Sequence, residues 1–314
     1  MRVLTSTQVR ALAPMSRVIH CLEEAFRHGC HAPVRQVTGV PGGEEDRLLL
    51  IMPACHSDGG AAIKVVTYFP DNPRRGMPTI HGVIVVFDET GAPGAVLDGS
   101  AVTHLRTGAA SALASRYLSR EDSAHLALIG AGALAPSMAE AHCTVRPITR
   151  VSVCGRESTK VARAAEEIRA RVGKQVEVLI PGSTQAAVES ADIVCCCTSS
   201  ATPVVFGRWL KPGAFVDLVG SFSPARRESD DDVVRQARLF VDTFEGALSE
   251  AGDLLDPLQR GVIGREQIEG ELSDLVRGRV SGRRSPGERI VFKSVGAAIE
   301  DLATARMILA ALCG

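Results

Sequence analysis

The sequence predicts an α/β fold in which a doubly wound parallel sheet is inserted into a smaller α+β domain, and three observations predict it. From His125 onward, short apolar segments alternate with helical ones, the order that builds parallel strands through helical crossovers. Before that point, strand-like segments follow one another at hairpin spacing, which builds an antiparallel or mixed sheet. Where the two patterns meet, His125–Ala135 reads HLALIGAGALA, an apolar strand that stops on glycines and opens a helix.

The elements follow in order. Thr5–His28 reads as a helical region that starts at Ser6 or Thr7 and sets Val9, Leu12, Val18, Ile19, Leu22, Ala25 and Phe26 on one face. Gln36–Val40 and Arg47–Met52 read as strands joined by the turn Pro41-Gly42-Gly43, with charged Glu44–Asp46 beside it. Ala61–Tyr68 and Gly82–Asp88 are further strands, and Glu89–Gly94 is a turn before Ala95–Leu97. Ala101–Leu118 is an Ala-rich helix. The alternating series then runs strand His125–Ile129, helix Pro136–Cys143, strand Arg150–Cys154, helix Ser158–Arg171, strand Val176–Ile180, helix Thr184–Glu189 and strand Ile193–Cys197. Val216–Val219 and Leu239–Val241 add two strands, and the acidic run Glu228–Asp232 reads as a solvated helix start. Gly296–Leu312 is an Ala-rich helix with Ile299, Leu302, Ala303, Met307 and Ile308 on one side. The pattern divides the chain into residues 1–117 plus 293–314 and residues 118–292.

Composition narrows the function. A net charge of −1 gives no electrostatic case for nucleic acid or an anionic membrane, and 4% aromatic residues leave little for base stacking. No apolar run reaches membrane-spanning length, and Arg2, Arg10 and Arg17 interrupt the N-terminal stretch where a signal peptide would be apolar. The nine cysteines include the consecutive Cys195, Cys196 and Cys197 inside an apolar run, which suits buried thiols in a reducing compartment. With no C-x-x-C pair and no His/Cys cluster at zinc spacing, the expectation is a cytoplasmic protein without a metal.

The glycine run carries the first chemistry. Gly130 permits a tight turn, Gly132 lets backbone N–H groups approach a pyrophosphate, and Ala135 keeps the helix close to the strand. Ala133 and Leu134 complete the phosphate-facing turn, at the positive end of the helix dipole. This is a Rossmann dinucleotide site. After the second strand, Gly155 stands where an NAD site usually carries an acid, and Arg156, Ser158, Thr159 and Lys160 follow. That set favours the 2′-phosphate of NADP. NAD is the alternative, because Glu157 is within reach of a ribose and Arg156 and Lys160 also suit a solvated helix start.

Two cations stand in apolar surroundings. Lys64 lies within Ala61–Val66, where a buried ammonium costs several kcal/mol unless it is paired or used (order of magnitude). It points into a cleft or guards a sheet edge. Arg106, in Leu105-Arg106-Thr107-Gly108, wants an anion: a substrate carboxylate, a cofactor phosphate or a structural acid. The eight histidines show no triad spacing, and His81 alone is held in reserve.

Together these segments resemble the ornithine cyclodeaminase/mu-crystallin family. The matching stretches are Met52-Pro53, Ala62–Val66, Gly76–Thr79, Leu105–Ser111, Gly130-Ala131-Gly132, Val219-Gly220-Ser221 and Lys293–Gly296 with Asp301. The resemblance implies a homodimer, with a substrate and dimerisation domain around a Rossmann domain and the active site in the cleft between them. It assigns Lys64 and Arg106 to substrate, the arginine gripping a carboxylate, with Arg35 as a second carboxylate-binding arginine and Val295 facing the substrate. It places Thr79, Thr107, Thr198, Gly220 and Ser294 at cofactor contacts. The family's cyclodeaminases carry an aspartate where this chain has Phe222, and an acid before Met-Pro where it has Leu50 and Ile51. The expected activity is therefore an NAD(P)H-dependent reductase of cyclic ketimines such as Δ1-pyrroline-2-carboxylate, with Lys64 as catalytic residue. Ornithine cyclodeaminase, an amino-acid dehydrogenase and a nucleotide-binding protein without turnover are the alternatives.

Overall fold

The computed structural model describes residues 1–42 and 47–313, so Gly43 of the expected turn and the charged Glu44–Asp46 lie outside the described residues. The chain divides into two compact units, Met1–Thr107 with Ala297–Gly314, and Gly108–Gly296. The sequence pattern sets these boundaries at 117/118 and 292/293. The first division falls instead within a helix, whose continuous backbone hides it from a reading by elements.

The first unit begins with strand β1 (Arg2–Leu4), helices α1 (Ser6–Leu12) and α2 (Met15–His28), and strands β2 (Gln36–Val40), β3 (Arg47–Cys55), β4 (Ala61–Tyr68), β5 (Ile80–Phe87) and β6 (Pro93–Asp98). Helix α3 (Gly99–Leu118) follows. The single helical region expected over Thr5–His28 is two helices, because Pro14 sits between them with extended backbone (φ −55°, ψ 136°). Proline lacks the N–H that a continuing helix needs. Thr5, not Ser6 or Thr7, caps α1, its N–H donating to Gln8 Oε1 at 3.0 Å.

The sheet order is β1-β6-β5-β4-β3-β2, antiparallel except for the β1–β6 pair. Strand alternation puts Met52, Lys64 and Ile84 in register on one face, all buried. The C-terminal helix Ala298–Cys313 packs against β3, β4 and β5 and brings Asp301 to Lys64. The opposite face carries Ile51, Ile63, Val65, Val83 and Val85 in neighbouring register positions, and Val83 is 45% exposed.

The second unit contains β7 (His125–Ile129), α4 (Ala135–Val145), β8 (Arg150–Cys154), α5 (Ser158–Val172), β9 (Glu177–Leu179), α6 (Thr184–Ser190), β10 (Ile193–Cys196) and β11 (Phe215–Leu218). It continues with α7 (Asp231–Arg235), β12 (Arg238–Val241), α8 (Phe244–Glu250), α9 (Gly252–Gln259), β13 (Ile268–Glu271), α10 (Leu272–Val276) and β14 (Ile290–Lys293). All neighbours pair in parallel, in the order β13-β12-β14-β11-β10-β7-β8-β9. Apolar strands such as β7 and β10 are buried on both faces, as a sheet covered by helices requires. The order reverses between β7 and β10, and the crevice beyond the strand ends at such a switch point is where ligands bind.

One expectation fails here. The acidic run is not a solvated helix start throughout: Asp230 caps α7 through Val233 N–H, but Glu228 and Ser229 are fully buried. Among the described residues, no helix is long and apolar enough to cross a membrane.

Candidate active-site residues

Strand β7 ends at Ile129, and Gly130 turns the chain with φ +119°. A side chain there would be strained, and its Cβ would stand 2.7 Å from the Cys197 carbonyl oxygen. Gly132 faces open space instead: a Cβ there would meet nothing within 4 Å, which leaves the backbone approachable. The turn opens a cavity of about 290 Å³ lined by Gly130, Gly132, Arg156, Lys160, Cys197 and Thr198, among others. Exposed backbone at the start of α4 suits phosphate, so the residues present fit a dinucleotide. Ala133 and Leu134 are not among those lining the cavity; the Leu134 carbonyl accepts from Ser137 and Met138 N–H at 3.0 and 3.1 Å, which anchors the first turn of α4.

At the end of β8 the place of a ribose-binding acid is closed as well as vacant. A Cβ on Gly155 would lie 3.0 Å from Val161 Cγ2 and 3.1 Å from Ala131 Cβ. Arg156 lines the cavity beside it, while Ser158, the first residue of α5, does not. Glu157 and Lys160 pair at 2.7 Å with both side chains more than half exposed, a contact of little energetic worth.

Sequence reasoning missed Glu228, the best-connected acid of this unit. It is fully buried, and its Oε1 accepts from Thr198 N–H (2.7 Å) and Thr198 Oγ1 (2.9 Å). Its Oε2 accepts from Gly220 N–H (2.6 Å) and Ser221 N–H (3.2 Å). Thr198 and Gly220 therefore meet at one carboxylate. Burial pushes the Glu228 carboxyl up to about 7; Lys293 opposes the rise, Asp253 adds to it, and the Thr198 bonds pull it back down. Lys293 and Asp253 are themselves buried, 3.4 Å apart, and Asp253 accepts from Glu228 and Ser229 N–H. Ser294 N–H donates to the Leu218 carbonyl, and Asp242 Oδ2 holds Val295 and Gly296 N–H at 2.8 and 2.7 Å. Phe222 packs against the apolar core.

In the first unit, Lys64 is 2% exposed and its Nζ lies 2.6 Å from Asp301 Oδ2. Arg106 Nε reaches the other oxygen of Asp301 at 3.2 Å, and its Nη1 reaches Glu300 at 2.8 Å. Two cations thus balance two anions in a dry setting, and Arg35 adds positive potential. Burial, then the Arg106 charge, push the Lys64 ammonium down to about 8, and Asp301 opposes them. Of the three anions the sequence offers Arg106, the structure shows structural acids, Glu300 and Asp301, beside it. Thr107 is buried on α3, and Thr79 accepts through its carbonyl from Phe69 N–H at 2.8 Å. His81 is exposed on β5, in register with Thr67.

Among the described residues, His142, Cys195 and Asp217 form a buried grouping with metal-capable spacing. The histidine and the carboxylate face each other at 3.3 Å, and none of the three lines the cavity. Burial raises the Cys195 and Cys196 thiols well above the usual range, so they stay protonated.

The comparisons with known proteins agree with one another. The ornithine cyclodeaminase/mu-crystallin family profile matches residues 1–313. The chain is 35% identical to a Delta(1)-pyrroline-2-carboxylate reductase of Colwellia psychrerythraea, over 98% of each chain. It superposes on the Thermococcus litoralis Delta(1)-pyrroline-2-carboxylate reductase, solved with NADH and L-proline, with a TM-score of 0.95 and 35% identity, covering 100% of this chain and 98% of that one. An archaeal alanine dehydrogenase dimer with bound NAD gives a TM-score of 0.90 at 29% identity, covering 100% and 96%. The matched segments span both units and the glycine turn alike, and the chain belongs to the ornithine cyclodeaminase/mu-crystallin family.

Proposed function

We propose that this protein is an NAD(P)H-dependent reductase of small cyclic ketimino acids of the Δ1-pyrroline-2-carboxylate type, yielding the saturated cyclic amino acid. The observation that carries the reading is Lys64, a buried ammonium whose pKa is brought near 8 and whose position is fixed by Asp301. The full-length similarity to two reductases of this name supports it.

In this reading a reduced nicotinamide dinucleotide, held by the residues at the glycine turn, would supply the hydride for the imine carbon. Lys64 gives a proton to the imine nitrogen and regains one from solvent, so that one hydride and one proton reduce the C=N bond. Asp301 keeps the ammonium charged at neutral pH and holds it in place. Arg106 and Arg35 attract the substrate carboxylate. Gly130, Gly132 and Thr198 line the dinucleotide site of the second unit. Arg156, which lines the cavity, favours NADP over NAD, because a guanidinium binds a 2′-phosphate while Gly155 offers no acid to a ribose. The uncovered apolar sheet face supports a homodimer, and the unpaired thiols support a reducing, cytoplasmic setting.

Phe222, packed on the core, and Leu50 and Ile51, both apolar, leave a second substrate amine without an acid at these positions, which disfavours ornithine. The test is oxidation of NADPH and NADH by the purified protein with five- and six-membered cyclic ketimino acids. Turnover with either ring is the expected result. Release of proline and ammonia from ornithine with catalytic NAD+, and none with the imines, would overturn the proposal.

A further inference from the structure

We infer that Glu228 is a positioning residue for the dinucleotide, setting one wall of its pocket by holding the loops after β10 and β11 through a single carboxylate. The inference rests on the reading of the cavity as a dinucleotide site. Thr198 lines that cavity together with Cys197, Ser199 and Ser200. Its backbone and hydroxyl both end on Glu228 Oε1, while Gly220 and Ser221 end on Oε2. The two loops are pressed together so closely that a Cβ on Gly220 would lie 1.8 Å from the Thr198 carbonyl oxygen. Glu228 is fixed in its turn: its N–H donates to Asp253 and its carbonyl accepts from Val204 and Val205 N–H.

An ionised carboxylate only accepts, and all the groups around this one donate. A proton on Oε2 faces two N–H donors and loosens the hold on the Gly220-Ser221 loop, whereas one on Oε1 reverses the bond to the Thr198 hydroxyl and faces the Thr198 N–H. The charged and titratable groups facing Glu228 are Asp253 on α9, Lys293 on β14 and the Cys196 thiol on β10. Lys293 compensates one of the two buried acids, so the second negative charge is held chiefly by the loop N–H groups. The clamp is complete when Glu228 is ionised and weakens as pH falls through about 7. A residue that merely fills the core would show no such dependence.

The experiment measures NADH affinity by fluorescence with no substrate present, which keeps Lys64 out of the reading, and uses NADH because it lacks a titrating 2′-phosphate. For the wild type, the dissociation constant is expected to rise several-fold from about pH 8 to about pH 6. Glu228→Gln is expected to weaken binding about tenfold at pH 8 and to lose the pH dependence, while still unfolding cooperatively. A wild type that binds NADH equally across this range overturns the clamp, whether or not the variant folds. So does a folded Glu228→Gln protein that binds as tightly as the wild type. A wild type that binds neither NADH nor NADPH overturns the dinucleotide reading itself, and the clamp with it.

Discussion

In the proposed reaction Lys64 serves as an acid because burial and Arg106 outweigh Asp301 and bring its pKa down to about 8. Burial and Arg106 make it a weaker base than a solvated amine, and Asp301 keeps it charged near neutrality. Lys64→Ala is expected to lower kcat by about 10²–10⁴-fold and leave NADPH affinity within about twofold, as steady-state rates and fluorescence titration would show. Because the protonated form is the reactive one, wild-type kcat should fall as pH rises through about 8. Arg156→Ala should raise the KM for NADPH about tenfold and leave that for NADH nearly unchanged, read from parallel kinetics with both dinucleotides. Lys64 and Arg106 were legible in the sequence because each is a charge set in an apolar run. Glu228 was not, since it sits in a run of acids that reads as solvated surface and its partners Thr198 and Gly220 lie 30 and 8 residues away.

At the scale of elements, legibility follows length and period. Strand β4 and helix α5 show their periodicity over enough residues to be read directly, β7 and β10 read as unbroken apolar runs, and the glycine turn after β7 announces itself by composition. Strands β13 and β14 and helices α7 to α10 run four to eight residues each, too short for a helical period or a strand alternation to emerge. Strand β14 also ends in Lys293, a charge that argues locally against a buried strand although it is fully buried beside Asp253. The break at Pro14 needed no tertiary information, only the proline's missing donor. The site inherits this division: the glycine turn after β7 was visible, and the loops after β10 and β11 were fixed by long-range hydrogen bonds that leave no local trace.

For the whole molecule, the insertion of one unit in the other is written in the order of patterns, hairpin strands first and alternating ones after. A six-stranded sheet with a helix on one face leaves Val83 and its apolar neighbours on the other, which is the surface a second copy would cover. If the proposed homodimer forms through this face, Val83→Glu should weaken it about 100-fold by placing an unpaired charge in the contact, which sedimentation velocity would show as a shift towards monomer. The C-terminal helix has a consequence for how the chain is made. Lys64 and Arg106 emerge from the ribosome long before residues 300 and 301, the acids that neutralise them. Until residues 300 and 301 are added, both cations lack these counterions, and the sheet face around them is open to water. The helix Ala298–Cys313 is the one that seals it, and a nascent chain stopped short of it would leave the two buried cations hydrated.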